Sequence, residues 1–200
     1  TRANIIAAMQ KIVAECASGD SLYIHYSGHG THVRDTNSDE NDGRDECICP
    51  VDLESPSIKD DELYNIIVKP LASGVKARIV FDSCHSGSCL DLPIRWVAGS
   101  TYVAENTHDT AGTRDIVFIS GCRDSQTSAD ASFDNKPNGA LTWAFLQALF
   151  DIHKSGTMAT RYTWRDLGDM IRFKLRKKGF DQVPQLSAEQ SVQLERTVDL

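Results

Sequence analysis

Three times in this chain a short apolar run ends abruptly in small or reactive residues, and this pattern constrains the fold more than any other feature of the sequence. Leu22-Tyr23-Ile24-His25-Tyr26 leads into Ser27-Gly28-His29-Gly30, Ile79-Val80-Phe81 into Asp82-Ser83-Cys84-His85-Ser86-Gly87, and Ile116-Val117-Phe118-Ile119 into Ser120-Gly121-Cys122. Such runs, rich in β-branched and aromatic residues, predict strands. The stretches between them carry apolar residues at three- and four-residue spacing. Residues 1–17 predict a helix with Thr1 as cap and Ile5, Ile6, Met9, Ile12, Val13 and Cys16 on one face. A second helix opens at Asp60 as its cap and stops at Pro70. Two more cover 140–153 and 163–178, the last with Lys174, Arg176, Lys177 and Lys178 near its carboxyl end, where the helix dipole favours cations. Strands alternating with helices imply an α/β fold whose mainly parallel sheet is covered on both faces. Sites in such sheets form at the carboxyl ends of the strands, where His29, Cys84 and Cys122 all fall.

Two hundred residues, 40% of them hydrophobic, suit one sizeable core and therefore one domain. A net charge of −7 argues against a nucleic-acid surface, which needs clustered Lys and Arg. Six irregularly placed cysteines without a CxxC pair fit reduced thiols in a cytoplasmic setting better than a disulfide framework. No apolar run reaches the roughly 18 residues of a membrane-spanning helix. Much of the negative charge lies in residues 31–46, where Asp35, Asp39, Glu40, Asp42, Asp45 and Glu46 face only Arg34 and Arg44. A solvated loop is expected there. An EF-hand starting at Asp35 is excluded, because its sixth position is Glu40 where glycine is required. Cys47 and Cys49, in a short strand or strand end, have no second ligand pair at zinc spacing and are expected to pack. Residues 90–113 lack a period and read as a long connection, 125–138 as a polar loop, and 182–187 as an edge strand or return segment.

If the strand before Cys84 persists to the cysteine, its two-residue period sets Asp82 and Cys84 on one face. A thiol becomes a nucleophile when a histidine near it in space takes its proton. His29 is such a histidine by topology, although a buried packing cysteine is the commoner role for an arbitrary Cys. Of the other histidines, His85 is expected to be locally structural and His32, His108 and His153 to lie on the surface. Cys89 is expected to be a free thiol and Cys122 to pack near the site.

The segments His25-Tyr26-Ser27-Gly28-His29-Gly30 and Asp82-Ser83-Cys84-His85-Ser86-Gly87 resemble the paired motifs of the metacaspases, caspase-like cysteine peptidases, most closely those of type I. The similarity extends through 45–52, 119–130 and 182–186. It implies a caspase-like three-layer α/β/α sandwich in which 1–91 are large-subunit-like, 92–113 a connection and 114–200 small-subunit-like. It further implies a calcium-dependent cysteine endopeptidase, with Cys84 as nucleophile and His29 moving protons through an acyl-enzyme. Asp82 and Ser27 would line a pocket for an Arg or Lys side chain. Backbone N–H groups near Gly30 and Cys84 would hold the oxyanion. The family's calcium site maps onto Asp45, Asp60, Asp61 and Asp91, whose oxygens suit a hard cation. Autoprocessing of a zymogen, at Arg95 or Arg114, is implied as well. The family's strand-helix unit that precedes the first helix is missing from this chain, so a separate N-terminal segment of the same protein is an expected partner of an otherwise monomeric enzyme. A clan-related peptidase with another specificity and a non-catalytic calcium-responsive module stay open as alternatives.

Overall fold

A computed structural model describes residues 1–35, 43–52, 54–96, 103–104, 114–121, 130–133, 136–155 and 162–199. Its centre is a six-stranded sheet in the order β1 (Ser21–Ser27), β5 (Lys76–Asp82), β8 (Asp115–Ser120), β11 (Gln185–Ala188), β6 (Ile94–Trp96) and β7 (Val103–Ala104). β1, β5 and β8 run parallel, so their carboxyl ends share one edge of the sheet. β11 runs antiparallel to both of its neighbours. β2 (Gly30–Arg34), β3 (Arg44–Ile48) and β4 (Ile58–Lys59) form a small separate sheet, and β9 (Asp130–Phe133) pairs with β10 (Lys136–Gly139).

Alternation along the strands divides the core into two layers. Leu22, Ala77, Ile79, Phe81, Ile116 and Phe118 face α1 (Arg2–Glu15) and the helical segment formed by α2 (Asp60–Leu63) with the π-turn Tyr64–Val68. Val80, Val117, Ile119 and Leu186 face α3 (Ala140–Lys154) and α4 (Trp164–Lys177) on the other side. Helices on both faces give the expected three-layer α/β/α sandwich. The Thr1 hydroxyl accepts from the Asn4 amide at 3.4 Å, starting α1 as expected. Thr163 starts α4 through a reciprocal capping box with Asp166, with bonds of 3.1 and 2.8 Å.

Several expectations are corrected. The segment at 182–187 is no edge strand: β11 lies between β8 and β6, with all four residues buried, Gln185 and Ser187 included. The polar stretch 31–46 contributes β2 and β3, since backbone pairing in a hairpin needs no apolar run. The connection 90–113 supplies β6 and β7, and the loop 125–138 supplies β9 and much of β10. Lys59, not Asp60, occupies the N-cap position of α2. A short helix, α5 (Ser191–Leu194), follows β11 without an apolar period long enough to announce it.

The carboxyl-terminal tail is tied to the sheet by charge. Arg78, 4% exposed in the middle of β5, donates to Asp115 Oδ1 at 3.0 Å and to Asp199 Oδ1 at 2.7 Å, while its guanidinium stands 5.3 Å over the Trp164 ring. Lys76 bonds the other oxygen of Asp199 at 2.8 Å. Burial pushes the Asp199 carboxyl up, but the bonds from Lys76 and Arg78 outweigh it and hold the group below its ordinary value. Its contribution is therefore present above the ordinary aspartate pKa and lost as pH falls through the lower folded value. Asp199→Asn should lower stability at pH 7 by about 1 kcal/mol, a small figure because solvent screens a carboxylate that is 39% exposed. The difference from the parent, measured by urea unfolding, should shrink below roughly pH 4.

Candidate active site

The parallel register of β1 and β5 sets Ser27 directly beside Asp82 at the shared carboxyl edge. His29 follows β1 by two residues and is exposed, while its carbonyl is fixed by the Tyr26 hydroxyl at 2.8 Å and the Cys49 amide at 2.9 Å. Gly30, the first residue of β2, packs so closely on the nucleophile loop that a Cβ there would lie 2.0 Å from the Cys84 carbonyl oxygen. Glycine alone permits this approach. It brings the backbone that follows His29 against that of Cys84 at one edge of the sheet.

β5 stops at Asp82, so the two-residue period does not reach Cys84. The cysteine instead sits in a loop just past the strand, half-buried, ahead of His85 in the left-handed region at φ 48°. Buried Ser86 pins this loop: its hydroxyl donates to the Ser83 carbonyl at 2.9 Å and accepts from the Gly121 amide, just beyond β8, at 3.2 Å. Gln182 in turn donates to the Gly121 carbonyl at 2.9 Å. Ser88 donates to Glu46 Oε2 at 2.5 Å, fastening the loop to β3. Glu46, 2% exposed, was hidden within a charge-rich run that looked solvated. His85 does have a local role, as its ring meets His32 edge to face at 4.8 Å. His32 is half-buried rather than on the surface, and its Nε2 lies 2.8 Å from the Arg44 guanidinium. Cys89 is a buried thiol in no disulfide, and its Sγ donates to the His85 carbonyl at 3.6 Å. His153 is exposed as expected, whereas His108 and Cys122 lie outside the described residues.

Asp82 is 4% exposed, and its Oδ2 accepts two bonds from one residue of α3: the Thr142 amide at 2.7 Å and the Thr142 hydroxyl at 2.6 Å. A Cβ on Gly139 would stand 2.0 Å from that oxygen. His25 Nε2 lies 3.2 Å from the same hydroxyl. Burial holds the His25 ring below the ordinary histidine value, with the Asp82 charge acting in the opposite direction. No sequence signal links positions 25, 82 and 142, because the contact arises only when α3 docks on the sheet.

Of the four carboxylates mapped as metal ligands, Asp45 in β3 is 1% exposed and paired with the Lys59 ammonium, while its Oδ1 is buried and accepts no hydrogen bond. Asp60 Oδ2 accepts from the Glu46 amide at 2.6 Å and Oδ1 from the Asp61 amide at 2.8 Å. Asp61 is half-buried, and Asp91 is buried at φ 45°. No three His, Cys, Asp or Glu side chains are grouped for a metal ion among the described residues. The donors are oxygens of the type a hard cation takes, and the buried Asp45 Oδ1 is an acceptor left over, but no three of the four carboxylates are gathered into one cage. Burial, reinforced by Asp60 and Asp45, pushes the Cys47 thiol up to about 12, so it stays a neutral packing group. Arg95 is buried in β6, where a protease cannot reach without lifting a paired strand, and Arg114 is held by Glu189 at 2.7 Å.

Gly30→Ala should cost about 1–3 kcal/mol through the clash with the Cys84 carbonyl, read as a lower urea midpoint. The rate of Cys84 alkylation by iodoacetamide should change with it, because the loop carrying the thiol must move.

The comparisons with known proteins agree with one another. Residues 1–93 match the family model described as metacaspase, peptidase C14 domain. Metacaspase-5 of Trypanosoma brucei brucei is 39% identical over 215 residues, spanning 100% of this chain and 41% of the relative. Metacaspase-1 of Arabidopsis thaliana is 41% identical over 192 residues, spanning 90% of this chain and 51% of the relative. The chain thus spans about half the length of the curated relatives it matches. A crystal structure of a Geobacter sulfurreducens protein superposes with a TM-score of 0.66 at 28% identity, covering 100% of this chain and 80% of that one.

Proposed function

The chain belongs to the metacaspase family, and from that premise we propose that it acts as a cysteine endopeptidase cleaving after Arg or Lys. The observation carrying this reading is the packing of Gly30 on the Cys84 backbone, at the edge where Ser27 and Asp82 are paired. In the proposed reaction Cys84 Sγ attacks the peptide carbonyl while His29 takes the thiol proton and delivers it to the leaving amine. Water then hydrolyses the acyl-enzyme with His29 as base. Backbone N–H groups near Gly30 and Cys84 are the proposed oxyanion donors. The buried negative charge of Asp82, beside the exposed Ser27, supports a basic side chain as the residue recognised.

Calcium is the proposed regulatory ion, with Asp45, Asp60, Asp61 and Asp91 as the residues that would hold it. When bound, it would supply positive charge to carboxylates near the loop that leaves the nucleophile. Support for that connection is a run of hydrogen bonds: Asp60 accepts from the Glu46 amide, Glu46 accepts from the Ser88 hydroxyl, and Ser88 accepts at its carbonyl from the Asp91 amide at 2.7 Å.

The proposed partner within the same protein is a further extended segment pairing along β1. Among the described residues that strand lies at the edge of the sheet, with Tyr23 49% exposed, next to a cavity of about 410 Å³ lined by Leu22, Tyr23, Phe145, Leu146 and Leu149 among others. An open strand edge beside apolar surface is a pairing site.

The test is hydrolysis of reporter peptides ending in Arg, Lys or Asp, with and without calcium. Cys84→Ala should abolish turnover, by about a thousandfold or more. Asp82→Asn should lower kcat/KM for the Arg reporter by about 30-fold or more, the cost of removing one partner of a desolvated ion pair. Equal rates for Cys84→Ala and the parent would reject the peptidase, and preference for the Asp reporter would reject the pocket. Asp45→Asn should raise the calcium concentration needed for half-maximal activity by about tenfold, whereas calcium-independent turnover by the parent would remove the metal from the account.

A further inference from the structure

Asp82, the acid proposed to meet the substrate's basic side chain, is joined through Thr142 to His25, two residues that belong to no step of that reaction. The N-cap of α3 is Gly139, which has no side chain with which to cap the helix. The first-turn amides of a helix need acceptors from outside. Asp82 supplies one from the end of β5 by accepting from the Thr142 amide at 2.7 Å. The Thr142 hydroxyl adds a second bond to the same oxygen at 2.6 Å. That hydroxyl has a single proton and gives it to Asp82, so its 3.2 Å contact with His25 Nε2 requires the imidazole to be the donor. The order of donation is His25 to Thr142 to Asp82. Ser27 stands in register with Asp82 on the neighbouring strand, and His25 lies two residues before it, on the same face of β1.

We propose that Thr142, backed by His25, is the positioning residue of the basic-side-chain pocket: it fixes the plane of the Asp82 carboxylate and thereby favours arginine over lysine. The proposal rests on the reading of Asp82 as the acid that meets the substrate's basic group. Arginine presents a planar fork whose bonds to a carboxylate depend on mutual orientation, whereas lysine presents a compact point charge that tolerates rotation of its partner. A carboxylate held at one oxygen by two donors cannot swing freely about its χ2 axis. Gly139 reinforces the restraint, because its missing Cβ leaves room for Oδ2 and for nothing larger.

The experiment compares Thr142→Val, which keeps shape and amide but loses the hydroxyl, with Thr142→Ser, which keeps both donors. For Thr142→Val, KM for the Arg reporter should rise about tenfold and KM for the Lys reporter about threefold, with kcat close to that of the parent, so that the Arg/Lys preference falls about threefold. Thr142→Ser should restore both constants to within about twofold. A purely structural role would instead lower the melting temperature and the iodoacetamide reactivity of Cys84 without changing the preference between the two peptides. Should Thr142→Val fold poorly, His25→Phe supplies the second route: it removes the outer donor, and the Arg/Lys preference should fall about twofold. Parent-like constants in Thr142→Val, or equal impairment in the Ser and Val variants, would overturn the inference while a damaged Asp82→Asn left the pocket reading intact. Parent-like behaviour of Asp82→Asn would overturn the pocket reading and this inference together.

Discussion

A carboxylate only 4% exposed at the tip of a central strand must be met by donors, because an uncompensated charge in that position is among the costliest groups a fold can bury. In this chain the first turn of α3 meets it. The bond from the Thr142 amide to Asp82 satisfies a helix terminus and a buried charge at once, and it sets where α3 sits along the sheet. The second core layer, built from α3 and α4 on Val80, Val117 and Ile119, is thereby registered to the end of β5. The reactive edge and the packing of one face of the sandwich therefore have this contact in common.

The nucleophile loop is held from the other directions. Ser86 links it to the end of β8, and Ser88 links it to Glu46 on the small sheet. Gly30 closes the remaining side by direct backbone contact. Three different elements thus converge on a segment that has no regular structure of its own between Ser83 and Asp91. This is how a rigid scaffold gives precision to a functional loop: the loop borrows order from fixed neighbours rather than from its own hydrogen-bond ladder. Residues assigned to the cation and residues assigned to the thiol are consequently neighbours in bonding, although they are distant in sequence.

The parts of this architecture that were legible in advance are those governed by local periodicity. β1, β5, β8, α1, α3 and α4 each announce themselves by apolar spacing and a cap or a breaker, and the parallel arrangement then follows from their alternation. The assignment of His29 and Cys84 rests on topology and on motif resemblance. What stayed illegible depends on contacts between distant segments. β11 is a short segment with buried Gln185 and Ser187, so its pattern looks like an edge until its two neighbours are known. Glu46 and Asp45 read as part of a solvated charge run, although the strand that carries them, β3, is buried from Asp45 onward. Thr142 looks like an ordinary position in a helix until Asp82 arrives across the layer boundary.

The ammonium of Lys59, resting on Asp45, has a consequence for how that carboxylate meets ions in solution. A buried acid with a resident counter-ion supplied by its own chain does not wait empty, and its charge is already answered at the cost of holding one flexible side chain in place. A metal ion reaching Asp45 would meet the lysine already seated on Oδ2, with the buried Oδ1 as the acceptor left to it. Affinity at such a position would be set by repulsion between the incoming ion and the tethered ammonium as well as by the attraction of the carboxylate.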